Sequence, residues 1–243
     1  SCKWCLRGQE NLCETIMSTK VLGSYAEYLL VPARVARLNL FPKPSSLPFS
    51  QAALLEPLAC VAQGVSLLPW VGQGAFNERV LVIGPGAIGL MFVAALRRMG
   101  ITDITLAGRN EERLAIGKRL GASTAPYTDL AGEFDIVIEC TGNLEVWQKS
   151  MDFVGRGGTL MLFGGLPGGS KATFDATRLH YDQVSLVSPF HFGSAAVKMA
   201  REWLVDTAFD LSPLISGTRK LEEADSVFRD LEAGKGIKYV FEP

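Results

Sequence analysis

Three cysteines near the start of the chain have the spacing of a metal site. Cys2, Cys5 and Cys13 follow the pattern C-x2-C-x7-C. Thiolates are favoured ligands of zinc, and structural zinc sites are closed by four ligands in a tetrahedron. Because the opening residues contain no apolar signal segment, a metal explains this spacing better than a disulfide does. Incidental buried cysteines are the alternative.

A glycine-rich turn has the pattern G-x-G-x-x-G of a dinucleotide-binding loop. The sequence Gly-Pro-Gly-Ala-Ile-Gly comes directly after a predicted buried strand and directly before a predicted helix. The first glycine permits a tight turn, the second lets the backbone approach a pyrophosphate, and the third lets helix and strand pack closely. The N–H groups at the helix start then face the phosphates. A plain strand-to-helix turn is the alternative. The residues predicted to contact the dinucleotide here are Gly84, Gly86, Ala87, Ile88 and Gly89.

The end of the next predicted strand indicates which dinucleotide fits. An NAD site usually carries Asp or Glu there, about 20 residues past the loop, to bind the 2′-hydroxyl of the ribose. This chain has Gly108 and Arg109 instead. Glycine leaves room for a 2′-phosphate, and arginine binds one through two parallel hydrogen bonds, assisted by Arg113 one turn later. We therefore predict NADP as the cofactor, with NAD as the alternative. A solvated surface charge is the other interpretation of Arg109.

The segments around these residues alternate between predicted strands and predicted helices. Strands are predicted at 79–83, 103–107, 134–138, 159–163 and 184–187, with helices starting near 87, 110 and 144. Such units with short links predict an α/β fold with a doubly wound parallel sheet, which we place at residues 58–192. Residues 1–57 are expected to form an irregular β region, and residues 193–243 two helices and a last strand. The nucleotide-type domain is thus inserted between two parts of a second domain.

Composition excludes several classes of partner. The chain has 243 residues, with 24 Lys and Arg against 25 Asp and Glu, and its net charge is −1. The absence of a basic run argues against nucleic acid and anionic membranes. Residues 80–96 carry no charge, but their glycines and proline indicate a strand, a turn and a helix start, not a membrane span. We expect a cytoplasmic globular protein.

Short motifs along the whole chain carry a family resemblance. They are residues 1–13, 23–28, Glu56-Pro57-Leu58, 84–90, 135–142 and 236–241. Together they resemble the zinc-dependent medium-chain alcohol and polyol dehydrogenases, whose cysteine lobe reads C-x2-C-x2-C-x7-C and is matched here in its last three cysteines. The Glu-Pro-Leu turn and His180-Tyr181 favour the polyol, sugar and threonine dehydrogenase branch. In that family a GroES-like catalytic domain is split by a Rossmann domain.

The resemblance implies two zinc ions and further cofactor contacts. Cys2, Cys5 and Cys13 would hold a structural zinc, and Glu56 matches an acidic ligand of the catalytic zinc, which polarises the alcohol during hydride transfer. The family's other catalytic ligands, a cysteine and a Gly-His-Glu histidine, have no counterpart here, so the front of the catalytic domain is expected to be missing and the chain inactive alone. The cofactor positions that the resemblance adds are Cys140, Thr141, Phe163, Gly164 and Lys238.

These observations predict an enzyme, a zinc-dependent oxidoreductase that moves hydride between NADP(H) and a secondary alcohol, polyol or sugar. We expect it to be a homo-oligomer, a dimer or tetramer, that binds this small molecule and neither nucleic acid nor membrane. One alternative is a non-catalytic NADP-binding protein of the same fold. Another is a zinc-free quinone or enoyl reductase, which is disfavoured because those relatives lack the cysteine lobe.

Overall fold

The computed structural model describes residues 2–18, 20–69 and 78–242. The chain divides into two compact units, one of residues 57–192 and the other of residues 1–56 with 193–243. No helix in the described ranges combines the length and apolar character needed to cross a membrane.

Helices and strands alternate through the middle of the chain. The helices are α1 (Lys3–Leu6), α2 (Ala33–Asn39), α3 (Phe49–Ala52), α4 (Leu55–Ser66), α5 (Ala87–Arg98), α6 (Glu111–Arg119), α7 (Leu144–Lys149), α8 (Ala176–Tyr181), α9 (Ser194–Val205) and α10 (Ala224–Glu232). The strands are β1 (Arg79–Ile83), β2 (Asp103–Gly108), β3 (Ser123–Pro126), β4 (Phe134–Glu139), β5 (Val154–Leu162), β6 (Ser185–Val187), β7 (Ile215–Lys220) and β8 (Lys238–Glu242). Short 3₁₀ helices cover Glu10–Leu12, Tyr127–Asp129, Ser150–Phe153, Ser212–Leu214 and Leu221–Glu223.

Strands β1 to β6 form one parallel sheet in the order β3-β2-β1-β4-β5-β6. The predicted doubly wound α/β fold is confirmed. Chain order reverses between β1 and β4, and ligands of such sheets bind outside the carboxyl ends of the strands at that point. Strands β7 and β8 form a separate parallel pair.

The centre of the sheet follows directly from residue type. Val80 to Ile83 of β1 are buried, as are Ile136 to Glu139 of β4. A strand covered by helices on both faces is apolar without alternation, and β-branched residues suit its pleated surface. Helix α5 packs close to β1 and β2, and its residues from Gly89 to Leu96 are all buried.

Helix boundaries obey the capping chemistry read from the sequence. Asn110 precedes α6, and its side chain accepts a hydrogen bond from the backbone N–H of Arg113 at 3.0 Å, so the predicted cap is confirmed. The predicted helix over residues 144–154 instead breaks after Lys149 into a 3₁₀ turn. Ser150 is buried there and donates its hydroxyl to the carbonyl oxygen of Val146 at 2.6 Å, a back-bond that bends helices.

The predicted irregular β region over residues 1–57 is wrong. None of its described residues lies in a strand, and the segment holds short helices and turns. The apolar run that suggested a strand leaves Tyr28 and Leu30 each 90% exposed. A strand exists only where a neighbouring strand pairs with its backbone N–H and C=O groups, and no such neighbour stands beside this run among the described residues.

Candidate functional site

A cavity of about 360 Å³ lies at the carboxyl ends of β1, β2, β3 and β4, wholly within the unit of residues 57–192. This is the edge where a doubly wound sheet binds ligands, next to the reversal of strand order. The lining residues are Ile83, Gly84, Pro85, Ala107, Gly108, Arg109, Asn110, Arg113, Tyr127, Thr141, Asn143, Glu145, Val146 and Lys149.

The glycine turn has the geometry of a phosphate cradle. Gly84 has a φ of +106°, which side chains rarely adopt. A Cβ on Gly89 would lie 2.0 Å from the carbonyl oxygen of Gly84, whereas one on Gly86 would meet nothing within 4 Å. The turn is therefore closed against its own backbone but open toward solvent at Gly86. No side chain in the described part of the chain caps the start of α5, so its first N–H groups remain available to an anion.

Gly108 has a structural reason that the sequence did not reveal. A Cβ at this position would lie 2.2 Å from Cδ of Pro85. The space predicted for a 2′-phosphate is thus filled by a proline ring from the glycine turn. Gly108 allows the ends of β1 and β2 to approach, and Arg109 and Arg113 are the residues beside it that carry charge.

The cavity wall is predominantly cationic. Arg109 is exposed directly after β2, and Arg113 is half-buried in the first turn of α6. Lys149 of α7 binds Glu145 through a hydrogen bond of 2.7 Å, which lowers the pKa of Glu145 and raises that of Lys149. Three basic side chains and one acidic side chain therefore surround the cavity, which favours an anionic ligand.

A buried carboxylate organises the ends of β4 and β5. Glu139 is 0% exposed, and its side chain accepts hydrogen bonds from the backbone N–H of Thr141 at 2.6 Å, from the Thr141 hydroxyl, and from the N–H of Gly142 at 3.4 Å. Its own carbonyl oxygen accepts from the N–H groups of Phe163 and Gly164 at 3.0 and 3.1 Å. Burial raises the pKa of Glu139 despite these donors.

Most of the predicted cofactor residues come together at this edge. Gly84, Gly108, Arg109, Arg113 and Thr141 line the cavity. Gly86, Ala87, Ile88 and Gly89 form the adjoining turn into α5, and Cys140, Phe163 and Gly164 follow β4 and β5. The N–H of Cys140 donates to the carbonyl oxygen of Ile83 at 2.9 Å, and burial raises the pKa of its thiol. Lys238 is the first residue of β8, in the other unit, and is not among the lining residues.

The three predicted zinc ligands form a cluster. The sulfur atoms of Cys2, Cys5 and Cys13 all lie within 4.8 Å of one another, and those of Cys2 and Cys5 are 3.8 Å apart. Backbone N–H groups of Cys5 and Glu14 lower the pKa of Cys2 to about 6, which favours the thiolate that binds metal. These donors fit zinc as three ligands of a tetrahedral site. It is the one group of three or more Cys, His, Asp or Glu ligands within residues 2–18, 20–69 and 78–242.

The predicted catalytic metal site is not assembled in the same way. Glu56 is exposed in the first turn of α4 and belongs to no such group of ligands among the described residues. His180 stacks edge-on against Tyr181, and His191 against Phe190, and neither histidine joins a ligand cluster in the described ranges. Among the described residues, these side chains do not assemble a second group of metal ligands.

Several cavity residues escaped the sequence analysis. Of these residues, Asn143 has a recognisable sequence pattern, that of a residue that caps a helix. It caps α7 by accepting a hydrogen bond from the N–H of Val146 at 3.1 Å. Tyr127 follows a strand that the sequence did not predict. Glu145 and Lys149 resemble any exposed helical ion pair in sequence, and only the fold brings them to the cavity.

Comparisons with known proteins agree with this architecture. Residues 87–209 match the family described as zinc-binding dehydrogenase. The chain is 36% identical over 171 residues to D-altritol 5-dehydrogenase of Agrobacterium fabrum, a match that covers 68% of this chain and 49% of that protein. It is 26% identical to L-threonine 3-dehydrogenase of Chromobacterium violaceum over 260 residues, which are 99% of this chain and 72% of that protein.

A solved structure extends the likeness to the whole described fold. It is a protein of Sinorhizobium meliloti 1021 described as a zinc-binding dehydrogenase and bound to NADP, with a TM-score of 0.87 and 28% identity. The match covers 100% of this chain and 73% of that one. With its family match, its parallel sheet and its cysteine cluster, the chain belongs to the zinc-binding dehydrogenase family.

Proposed function

We propose that this chain binds NADP(H) and serves hydride transfer to or from an alcohol, polyol or sugar in a zinc-dependent oxidoreductase. The observation that carries the proposal is the cavity at the reversal of strand order, where a glycine cradle and two arginines line the same space. The names of the relatives support the substrate class, since they act on a polyol and on the hydroxyl-bearing amino acid threonine.

The glycine cradle supports a pyrophosphate at the start of α5. The open space at Gly86 admits phosphate oxygens to the backbone, and the uncapped N–H groups of the first helical turn can donate to them. The positive end of the helix dipole adds attraction for the same charge. These features are shared by NAD and NADP sites and do not distinguish the two.

The end of β2 supports NADP over NAD. An acidic residue there would accept hydrogen bonds from a ribose 2′-hydroxyl and would repel a 2′-phosphate. Arg109 and Arg113 instead present donors that match phosphate oxygens. The relative from Sinorhizobium meliloti, which is bound to NADP, agrees with this choice.

Zinc has a defined place in the proposal only at the cysteine cluster. Cys2, Cys5 and Cys13 would hold it, and bound there it would supply structural cross-linking of residues 2–18. Glu56 as a ligand of a catalytic metal remains a prediction drawn from the family resemblance. Hydride chemistry would belong to the nicotinamide of the bound cofactor, whose pyrophosphate the cradle would hold.

Cofactor titration of the purified chain tests the proposal. NADPH is expected to bind about tenfold or more tightly than NADH, and Arg109→Ala should remove about 1.5–3 kcal/mol of that binding because it deletes a charged contact. Arg119→Ala is the matched control, because Arg119 is exposed at the C-terminal end of α6, the helix that follows Arg109. This substitution should change the affinity for neither NADPH nor NADH. Tighter binding of NADH by the unaltered chain, or unchanged NADPH affinity in Arg109→Ala, would refute the choice of NADP.

A further inference from the structure

The hydroxyl of Tyr127 is buried and has no hydrogen-bond partner among the residues that the structure describes. Tyr127 begins the 3₁₀ turn directly after β3, and its ring packs edge-on against Phe153 with centroids 6.5 Å apart. The ring also packs with Leu130 and Val146 against the apolar core. An unsatisfied buried hydroxyl is costly, and native proteins keep one when something absent from the free structure uses it. Tyr127 lines the cavity, which makes a ligand the natural partner.

The hydroxyl of Tyr127 keeps its proton at neutral pH. Lys149, Glu145, Asp152 and Glu139 all act on its hydroxyl, and burial, the largest influence, raises its pKa. The proton therefore stays in place, and the hydroxyl is a donor that needs an acceptor.

The cavity wall offers few acceptors of its own. Arginine and lysine side chains only donate, and one side-chain oxygen each of Asn110, Asn143 and Glu145 already accepts a hydrogen bond. The engaged pairs are Arg113 N to Asn110 Oδ1 at 3.0 Å, Val146 N to Asn143 Oδ1 at 3.1 Å, and Lys149 Nζ to Glu145 Oε1 at 2.7 Å. A wall rich in donors fits a ligand group rich in acceptors, such as a phosphate.

Strand order locates that phosphate on the ligand. Strand β3 is next to β2, on the side away from β1 and its glycine turn. Tyr127 therefore stands beyond Arg109 as seen from the pyrophosphate cradle, at the end of the cavity where the ribose 2′ position is read.

We propose that Tyr127 is a specificity-determining residue whose hydroxyl donates a hydrogen bond to the 2′-phosphate held by Arg109 and Arg113. The inference rests on the proposed NADP-binding function and deepens it. A neutral hydrogen-bond donor from the turn after β3 would thus join the two arginines in binding the 2′-phosphate.

Adenosine fragments with and without the phosphate test the assignment. The probes are 2′,5′-ADP and 5′-AMP, titrated calorimetrically into the unaltered chain and into Tyr127→Phe, which removes only the hydroxyl. We expect 2′,5′-ADP to bind about tenfold more weakly to the variant, as for loss of one hydrogen bond to a charged group, and 5′-AMP to bind equally to both. Tyr181→Phe, at a tyrosine that is 79% exposed in the same unit, is the matched control.

A melting curve separates ligand recognition from a structural role. Because no group of the described residues pairs with this hydroxyl, Tyr127→Phe should melt at the same temperature as the unaltered chain or higher. A lower melting temperature together with equal weakening of both fragments would mean that the hydroxyl supports the fold or reads the adenosine, and would overturn the inference.

The two proposals fail in different ways. If the unaltered chain binds 2′,5′-ADP no better than 5′-AMP, the proposed choice of NADP fails and the inference fails with it. If that preference exists and Arg109→Ala abolishes it while Tyr127→Phe does not weaken it, only the inference is overturned.

Discussion

The sheet between residues 57 and 192 and the segment before it are stabilised in opposite ways. In the sheet, Leu81 and Val137 are 0% exposed and belong to one continuous hydrophobic cluster. Among the described residues before Pro57, Leu47 and Leu54 are the buried apolar side chains, while Leu22, Tyr28 and Leu30 are 80 to 90% exposed. Apolar burial therefore accounts for the first region, whereas short helices, turns and a thiol cluster order the second.

The two regions therefore differ in what offsets the loss of chain entropy on folding. Burial of about 25 cal/mol per Å² of apolar surface offsets chain entropy only where a core exists. Segments with little core commonly rely on metals or on contact with other surfaces. The cysteine cluster and the exposed apolar side chains are both expected in a segment of that kind.

Two leucine substitutions, one in each region, should differ most in their cost to the free energy of unfolding. Leu81→Ala in the central strand is expected to cost about 2–5 kcal/mol of unfolding free energy, because it deletes buried methyl groups and leaves a cavity. Leu30→Ala, at a side chain 90% exposed, should cost less than about 0.5 kcal/mol. Urea unfolding followed by circular dichroism measures both, and equal costs would mean that the two regions do not differ as described.

The buried side chain of Glu139 stabilises the sheet unit through its hydrogen bonds at the ends of β4 and β5. Glu139→Gln is expected to cost about 1–3 kcal/mol at neutral pH, because an amide cannot accept from all the donors that the carboxylate serves. Glu112→Gln, exposed on α6, is the control and should change stability little.

The same variant has a defined pH dependence. Burial raises the pKa of Glu139 in the folded state, so the folded chain binds more protons than the unfolded chain in the window above the ordinary value of 4.5. The contribution of Glu139 to stability should therefore fall as pH rises through that window, and Glu139→Gln should lack this slope. Denaturant midpoints measured across pH settle the matter, and parallel slopes would contradict the assigned pKa shift.

Zinc removal should have the smallest effect on the sheet and a local effect on the cysteines. One equivalent of zinc is expected to protect Cys2, Cys5 and Cys13 from iodoacetamide, and a chelator to restore their reaction, while Cys140, whose thiol pKa is raised, reacts slowly throughout. The unfolding midpoint of the sheet should stay unchanged. Mass spectrometry of the alkylated peptides measures this; equal labelling with and without zinc would argue against the metal site.

Residue patterns predicted the centre of the fold because the physics there is local. Residues 80–83 of β1, 136–138 of β4 and 160–162 of β5 are continuous apolar runs, and α6 is capped by Asn110 as its sequence indicates. Strand β3 was missed because Ser-Thr-Ala-Pro has little β propensity and stays in place through a single neighbour at the sheet edge.

The site was predicted less completely because it is built from separate segments. The glycine turn and Arg109 follow strands that the sequence made visible. Tyr127 and Lys149 reach the same cavity from β3 and α7, and their placement depends on strand order and on a helix that ends early at Ser150. No spacing along the chain encodes that meeting.

The order of strands in the sheet also determines when each strand can pair with its neighbours during synthesis. β1 pairs with β2 and β4, and the pairing of Val80 with Ile136 joins segments made far apart in time. At roughly 5–20 residues per second, the ribosome releases β4 about 3–11 s after β1. Until then one edge of an apolar strand has no permanent neighbour, and unpaired edges of this kind attract other chains. The first partner available to β1 is β2, brought back by α5, whose run of buried residues covers one face of the nascent strand.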